Sequence, residues 1–264
     1  ERPRADRTRR RLTRSRRAQA ALADETATLA HVCGRFTQSD PERIVHEFSV
    51  VGEPPRLTLG PARYNVAPTQ PVSVIRAFGP KKERQLDALR WGLIPSWAKD
   101  PSIGNRMINA RVETLAEKAA FRDALHRRRC LVVADGFYEW RREGRAKQPF
   151  YITREDGALL AMAGLWDRWM SPDGEVIESF TVVTKPAVRP VSEIHDRMPA
   201  ILAEAHHTPW LADEAPKNEV LFELLTAPSP PLVLVPVSTF VNKPANDGPE
   251  CIAPIAVVRG LFDT

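Results

Sequence analysis

Cysteine is scarce in this chain: only Cys33, Cys130 and Cys251 occur in 264 residues, with no CxxC pair. That scarcity argues against a zinc site or a disulfide framework and for a reducing compartment. Cys130 opens the apolar run CLVVA and reads as a small buried hydrophobe; Cys251, between Pro249 and Pro254, carries no assigned role. Long hydrophobic runs are missing as well. No stretch approaches the roughly 18 uncharged apolar residues of a membrane-spanning helix, so no membrane partner is expected. There is no internal repeat and no Gly/Ser linker after residue 32, so residues 33–264 are expected to form one domain.

Bulk charge is also missing from most of the chain. The net charge is +5, but residues 1–32 hold nine arginines and only four acids, Glu1, Asp6, Asp24 and Glu25. That leaves 29 of the 38 basic residues and 29 of the 33 acidic ones for the rest, which is neutral. An anionic ligand must therefore be held by a local patch and not by an overall field. The first 32 residues, ERPRADRTRRRLTRSRRAQAALADETATLAHV, show no hydrophobic periodicity. They have the composition of a disordered, solvated leader, with a basic DNA-binding arm as the alternative. Asp24 and Glu25 interrupt the apolar region that a secretory signal would need.

From Cys33 onward the pattern becomes dense. DPERIVHEF offers Asp40 as an N-cap and Pro41 at the first helical position, so a short helix is expected. PVSVIRAF (71–78) and the stretch from Gln85 to Leu93 read as strands around the turn-like GPKKE. RVETLAEKAAFRDAL spaces Val112, Leu115, Ala119 and Leu125 as a helix would, and CLVVADGFYEW reads as a strand running into a polar site. PFYITR, ALLAMAGLWDRW and EVIESFTVVT are joined by EDG and SPDG, both hairpin signals. NEVLFELLT is a short amphipathic helix and PLVLVPVS a late strand. The sum is an α+β fold with a mainly antiparallel, barrel-like β core and peripheral helices.

Four stretches concentrate reactive residues: CGRF (33–36), NAR (109–111), GFYEW (136–140) and HDRMP (195–199). Glu139 sits among Phe137, Tyr138 and Trp140, and in a strand it shares a face with Phe137. Desolvation there raises a carboxyl pKa toward neutrality, which suits a general acid or base; a salt-bridged strand-end Glu is the plainer alternative. His195 follows a Pro-punctuated loop and precedes Asp196 and Arg197, a fair setting for proton transfer. Asn109 offers donor and acceptor in one group, and Arg111 is suited to a phosphate or to a surface pair with Glu113. WGLIPSW sets Trp91 and Trp97 around a Pro-containing loop, where aromatic rings can stack single-stranded bases or simply anchor the loop.

Cys33 has three readings. It can be a buried core residue, the nucleophile of a Cys–His–Asn peptidase with His195 and Asn109, or the first residue of a mature chain. The papain-type signature around the cysteine is absent. As a first residue it carries a free α-amine, pKa roughly 7.7–8.0, beside a thiol, a pair that condenses with an aldehyde to an imine and then a thiazolidine.

These motifs, with YNVAP (64–68), stand in the order found in the SRAP family, the SOS response-associated peptidases or abasic site processing proteins, which the chain resembles from Cys33 to a strand near Val258. The resemblance implies a mature N-terminal cysteine that crosslinks the aldehyde of an abasic site in single-stranded DNA, and self-removal of the initiator residue. It implies Cys33 as nucleophile, Asn109 as orienting group, Glu139 as proton-transfer group, and His195 assisting ring opening and crosslink reversal. It places Arg35, Asn65, Pro68, Trp91, Trp97 and Arg111 along the DNA groove, with no cofactor or metal. A monomer acting on DNA in a bacterial cytoplasm is expected. A thiol peptidase and a non-catalytic single-strand binder are the alternatives. Because imine chemistry needs a free amine, synthesis is expected to start at position 32, from a GTG codon translated in the sequence as Val32 but read as Met. On that expectation residues 1–32 are not part of the mature protein.

Overall fold

The computed structural model describes residues 33–51, 61–79, 81, 83–144, 146–212 and 217–255. The Arg-rich leader and the expected strand near Val258 lie outside the described residues. Residues Val32–Thr264 form one compact unit by themselves. In chain order its strands are β1 (Phe36–Gln38), β2 (Arg63–Val66), β3 (Pro71–Phe78), β4 (Glu83–Trp91), β5 (Asn109–Arg111) and β6 (Arg129–Ala134). There follow β7 (Gly136–Glu143), β8 (Ala146–Arg154), β9 (Leu160–Met170), β10 (Val176–Pro186), β11 (Arg197–Pro199) and β12 (Leu232–Pro236). Among the described residues four α-helices accompany them: α1 (Pro41–Glu47), α2 (Ala119–Arg127), α3 (Glu204–Leu211) and α4 (Asn218–Thr226).

Five strands close into a barrel in the order β10–β4–β3–β6–β9, with β9 pairing back onto β10. Every pairing round this ring is antiparallel except β10–β4. A second sheet runs β12–β8–β7–β1–β2. β6 joins the two halves of the core. Its Cys130, Val132 and Ala134 pack with Cys33, Phe36 and Phe137, while Leu131 and Val133 pack with Phe121, Leu125, Trp210 and Leu221 under the helices. A strand buried on both faces shows no alternation, and RCLVVA has none.

Local chemistry explains most boundaries. Asp40 accepts the Arg43 N–H at 3.0 Å and Pro41 opens α1, as the sequence predicts. The turn expected at GPKKE joins β3 and β4 as a hairpin in full register, and the hairpin expected at SPDG joins β9 and β10. Three expectations are corrected. CLVVADGFYEW is two strands, because the chain leaves the barrel at Asp135 and enters the second sheet at Gly136. A Cβ on Gly136 would lie 2.5 Å from the Tyr151 ring, so only glycine permits that crossing. The EDG turn links β8 to β9, which lie in different sheets, so it is no hairpin. The helix read from Arg111 onward begins as a short 3-10 turn at Val112–Thr114 and becomes α-helical only at Ala119.

Candidate active site

β1 pairs with β7 so that Phe36 stands opposite Phe137, and the Tyr138 N–H donates to the Arg35 carbonyl at 3.0 Å. This register carries the residues just before β1 alongside Glu139. Cys33 is fully buried, and its backbone N–H donates to Glu139 Oε1 at 2.6 Å. Glu139 is itself only 2% exposed. Burial pushes its carboxyl up to about 8; the Cys33 and Trp140 N–H groups pull against that rise, and the charge of Asp196 adds to it. Burial, then the nearby Glu139 charge, pushes the Cys33 thiol well above its ordinary value. The Cys33 backbone has φ 45°, in the left-handed region that non-glycine residues seldom occupy.

The other two polar stretches meet at the far end of β10. Beyond its pairing with β4, β10 takes up β5 in parallel, Val182 opposite Asn109 and Thr184 opposite Arg111. On its other side it takes up β11, Thr184 opposite Pro199 and Pro186 opposite Arg197. Asn109 and His195 are thus carried by segments flanking one strand end. Ile108, Val191, Ile194 and Met198, their close neighbours in sequence, pack in the same apolar cluster as Cys33. His195 Nδ1 accepts the Arg197 N–H at 3.0 Å, which places the proton of the neutral ring on Nε2. Asp196 lies 2.9 Å from the same nitrogen, a contact that becomes an ion pair only when the ring is protonated.

The six residues expected along a DNA groove separate into distinct roles. Arg35 donates through Nη1 to Asn65 Oδ1 at 2.9 Å and to the Val241 carbonyl at 3.1 Å, and its guanidinium lies 6.0 Å from the Trp140 ring centroid. Asn65 is fully buried, and its Nδ2 donates to the carbonyls of Val241, Lys243 and Asn246. It brackets β2 to residues 241–246 beneath the site. Trp91 is a second interior side chain. It is fully buried, stacks near Phe36 and Phe180 with centroids 4.8 and 6.3 Å away, and gives its indole N–H to the Ile108 carbonyl. A ring with no exposed face stacks no base. Trp97, by contrast, is 58% exposed, on a loop pinned by the Ser96 N–H to Asp167 and by the Trp169 indole to the Ala98 carbonyl. Pro68 is half-buried after β2, and Arg111 is exposed. Glu113 does not pair with Arg111 as its ion-pair partner; its carboxylate is gripped by Arg197.

One part of the site escaped sequence reading. Residues 238–251 wrap over β2 and β7: Asp247 accepts the N–H groups of Tyr64 and Asn65 and pairs with Arg63 at 2.7 Å, and Trp140 donates to Asn242. The turn-rich stretch VNKPANDGP was the available signal.

A family model described as SOS response associated peptidase (SRAP) matches residues 32–244. The chain belongs to the SRAP family. It is 40% identical over 224 residues to abasic site processing protein YoqW of Bacillus subtilis (strain 168), covering 84% of this chain and 99% of that relative. It is 40% identical over 201 residues to abasic site processing protein HMCES of Xenopus tropicalis, covering 67% of this chain and 59% of that longer protein. Among solved structures, the crystal structure of a protein from Bacteroides thetaiotaomicron superposes with a TM-score of 0.74 at 26% identity, covering 85% of this chain and all of that one. This SRAP chain shares the fold of that structure. Among its described residues no helix is long and apolar enough to cross a membrane.

Proposed function

We propose that this SRAP protein processes abasic sites in single-stranded DNA by crosslinking them to Cys33. The single observation that carries the reading is the bond from the Cys33 α-nitrogen to Glu139 Oε1, 2.6 Å long in a buried site. Relatives named abasic site processing proteins supply the substrate class. With Cys33 as first residue, its α-amine adds to the aldehyde carbon and forms a carbinolamine. Glu139, whose carboxyl is pushed up by burial toward the protonated form, gives its proton to the departing hydroxyl, and water leaves with formation of the imine. The Cys33 sulfur then adds to the imine carbon while its proton passes to nitrogen, closing a thiazolidine with net loss of one water. His195, whose Nδ1 accepts the Arg197 N–H so that Nε2 bears the ring proton, gives that proton to the sugar's ring oxygen while the anomeric hydroxyl loses its own to water, which opens the sugar to the aldehyde; water then returns a proton to Nε2.

The reaction needs the peptide bond before Cys33 to be broken, so cleavage of that bond belongs to the same proposal. Left-handed backbone at Cys33 is a source of strain there, of order 1–3 kcal/mol. A general thiol peptidase fits less well, since it works through a thiolate of low pKa and burial drives the Cys33 thiol the other way. The test is to incubate protein beginning at Cys33 with single-stranded DNA bearing an abasic site. A protein–DNA band that survives denaturing electrophoresis is expected, lost with Cys33→Ala; a folded protein that gives no such band refutes the reading.

A further inference from the structure

Arg197 ties together three segments around the far end of β10, through His195, Glu113 and Thr184. Its backbone N–H holds His195 Nδ1 at 3.0 Å. The residue is 9% exposed, and its guanidinium makes a separate set of bonds. It grips Glu113 through both terminal nitrogens, with Nη2 to Oε2 at 3.0 Å, and Nη2 also donates to the Thr184 carbonyl at 2.8 Å. Glu113 lies in the 3-10 turn that directly follows β5, four residues after Asn109. Thr184 is the β10 residue that stands opposite both β5 and β11. β5 and β11 are each only three residues long, too short for their own ladders to fix them firmly. A forked, largely desolvated guanidinium bridging them supplies the rigidity that the ladders lack.

We propose that the Arg197–Glu113 pair is a positioning clamp that holds His195 in register with Asn109 for opening of the abasic sugar, and that it has no part in the condensation at Cys33. The inference rests on the abasic-site reading above. Cys33 and Glu139 are joined through β1 and β7 in the other sheet, so the clamp bears on one step and not on the other.

Two single-stranded oligonucleotides of one sequence separate the steps. One carries a natural abasic site, which is mainly a closed hemiacetal; the other carries an acyclic aldehyde with no hydroxyl able to close a ring. Protein beginning at Cys33 is tested as wild type, Glu113→Gln and Arg197→Lys, with thermal unfolding as the check on folding. Glu113 is the safer variant because its side chain is 46% exposed. Misplacement of a proton-transfer group costs up to about 100-fold, so Glu113→Gln is expected to slow crosslinking of the natural site by roughly 10- to 100-fold. The rate with the acyclic aldehyde is expected to stay unchanged. Glu113→Asp, which keeps the charge on a shorter arm, recovers part of the loss. In a His195→Ala background Glu113→Gln adds nothing, because the clamp acts through His195. Equal losses on both oligonucleotides, an additive loss in the His195→Ala background, or no loss at all each overturn the clamp. Wild-type protein that crosslinks neither oligonucleotide sinks the abasic-site reading, and the clamp falls with it.

Discussion

Glu139 pays for its position in stability. Its carboxyl titrates near 8 in the folded chain against an ordinary 4.5 when unfolded. Between those values the folded chain holds a proton that the unfolded chain has released, so stability falls as pH rises through that window. Glu139→Gln cannot titrate. In the chain that retains a residue before Cys33, wild type is therefore expected to lose stability relative to Glu139→Gln as pH rises, by several kcal/mol at about 1.4 kcal/mol per unit of pKa. Denaturant midpoints across the window check it; parallel curves for the two proteins refute the raised pKa. In protein beginning at Cys33 the same substitution is expected to slow crosslinking by about 10²–10⁴-fold while leaving DNA affinity intact. A loss of affinity equal to the loss of rate makes Glu139 structural. This residue was legible in sequence because GFYEW packs aromatic residues round a lone acid, and desolvation follows from that composition alone.

At the scale of elements, WGLIPSW shows where sequence reading stops. Two tryptophans six residues apart looked equivalent, yet Trp91 ends a barrel strand with its side chain buried, and Trp97 sits on the loop beyond it, 58% exposed. The difference is one of strand register, set by pairing of β4 with β3 and β10, which no local pattern encodes. Their substitutions to alanine are expected to fail in opposite ways. Trp97→Ala leaves the melting temperature near wild type and weakens single-stranded DNA binding by about 1–3 kcal/mol. Trp91→Ala costs about 3–5 kcal/mol of stability by leaving a cavity beside Phe36 and Phe180. A Trp97 variant that binds DNA as wild type does removes that loop from the interface. The same logic explains the other misreadings. β3, β4, β9 and β10 were legible because hairpin turns join strands that are also partners. The break at Gly136 was hidden because apolar residues continue across it while the chain changes sheets. The bracket formed by Asn65 and residues 238–251 spans more than 170 positions, and only folding brings its halves together.

For the whole molecule, the proposed crosslink sets one demand: the nitrogen of Cys33 must be an amine. A chain that keeps any residue before Cys33 presents an amide instead, and an amide cannot form the imine. Full-length protein that keeps its leader is therefore expected to bind single-stranded DNA but give no denaturation-resistant crosslink. Protein starting at Cys33 is expected to give one, with mass spectrometry reporting the N-terminus of each. A crosslink through Cys33 in a chain shown to retain its leader defeats the imine mechanism.

The complete burial of Cys33 bears on a hazard that any such reagent meets inside a cell. An amine and a thiol on neighbouring carbons condense with whatever free aldehyde diffuses past, and an exposed thiolate is consumed by peroxide. Metabolism supplies both without pause, so an unguarded pair would be capped or oxidised before a lesion arrived. Here the sulfur has no exposed surface and its proton is held tightly. A thiol so buried and protonated is a poor nucleophile toward small electrophiles. For the crosslinking residue proposed above, discrimination then comes from admission and not from intrinsic reactivity: a single-use reagent would keep until a strand of DNA delivered its aldehyde to the door.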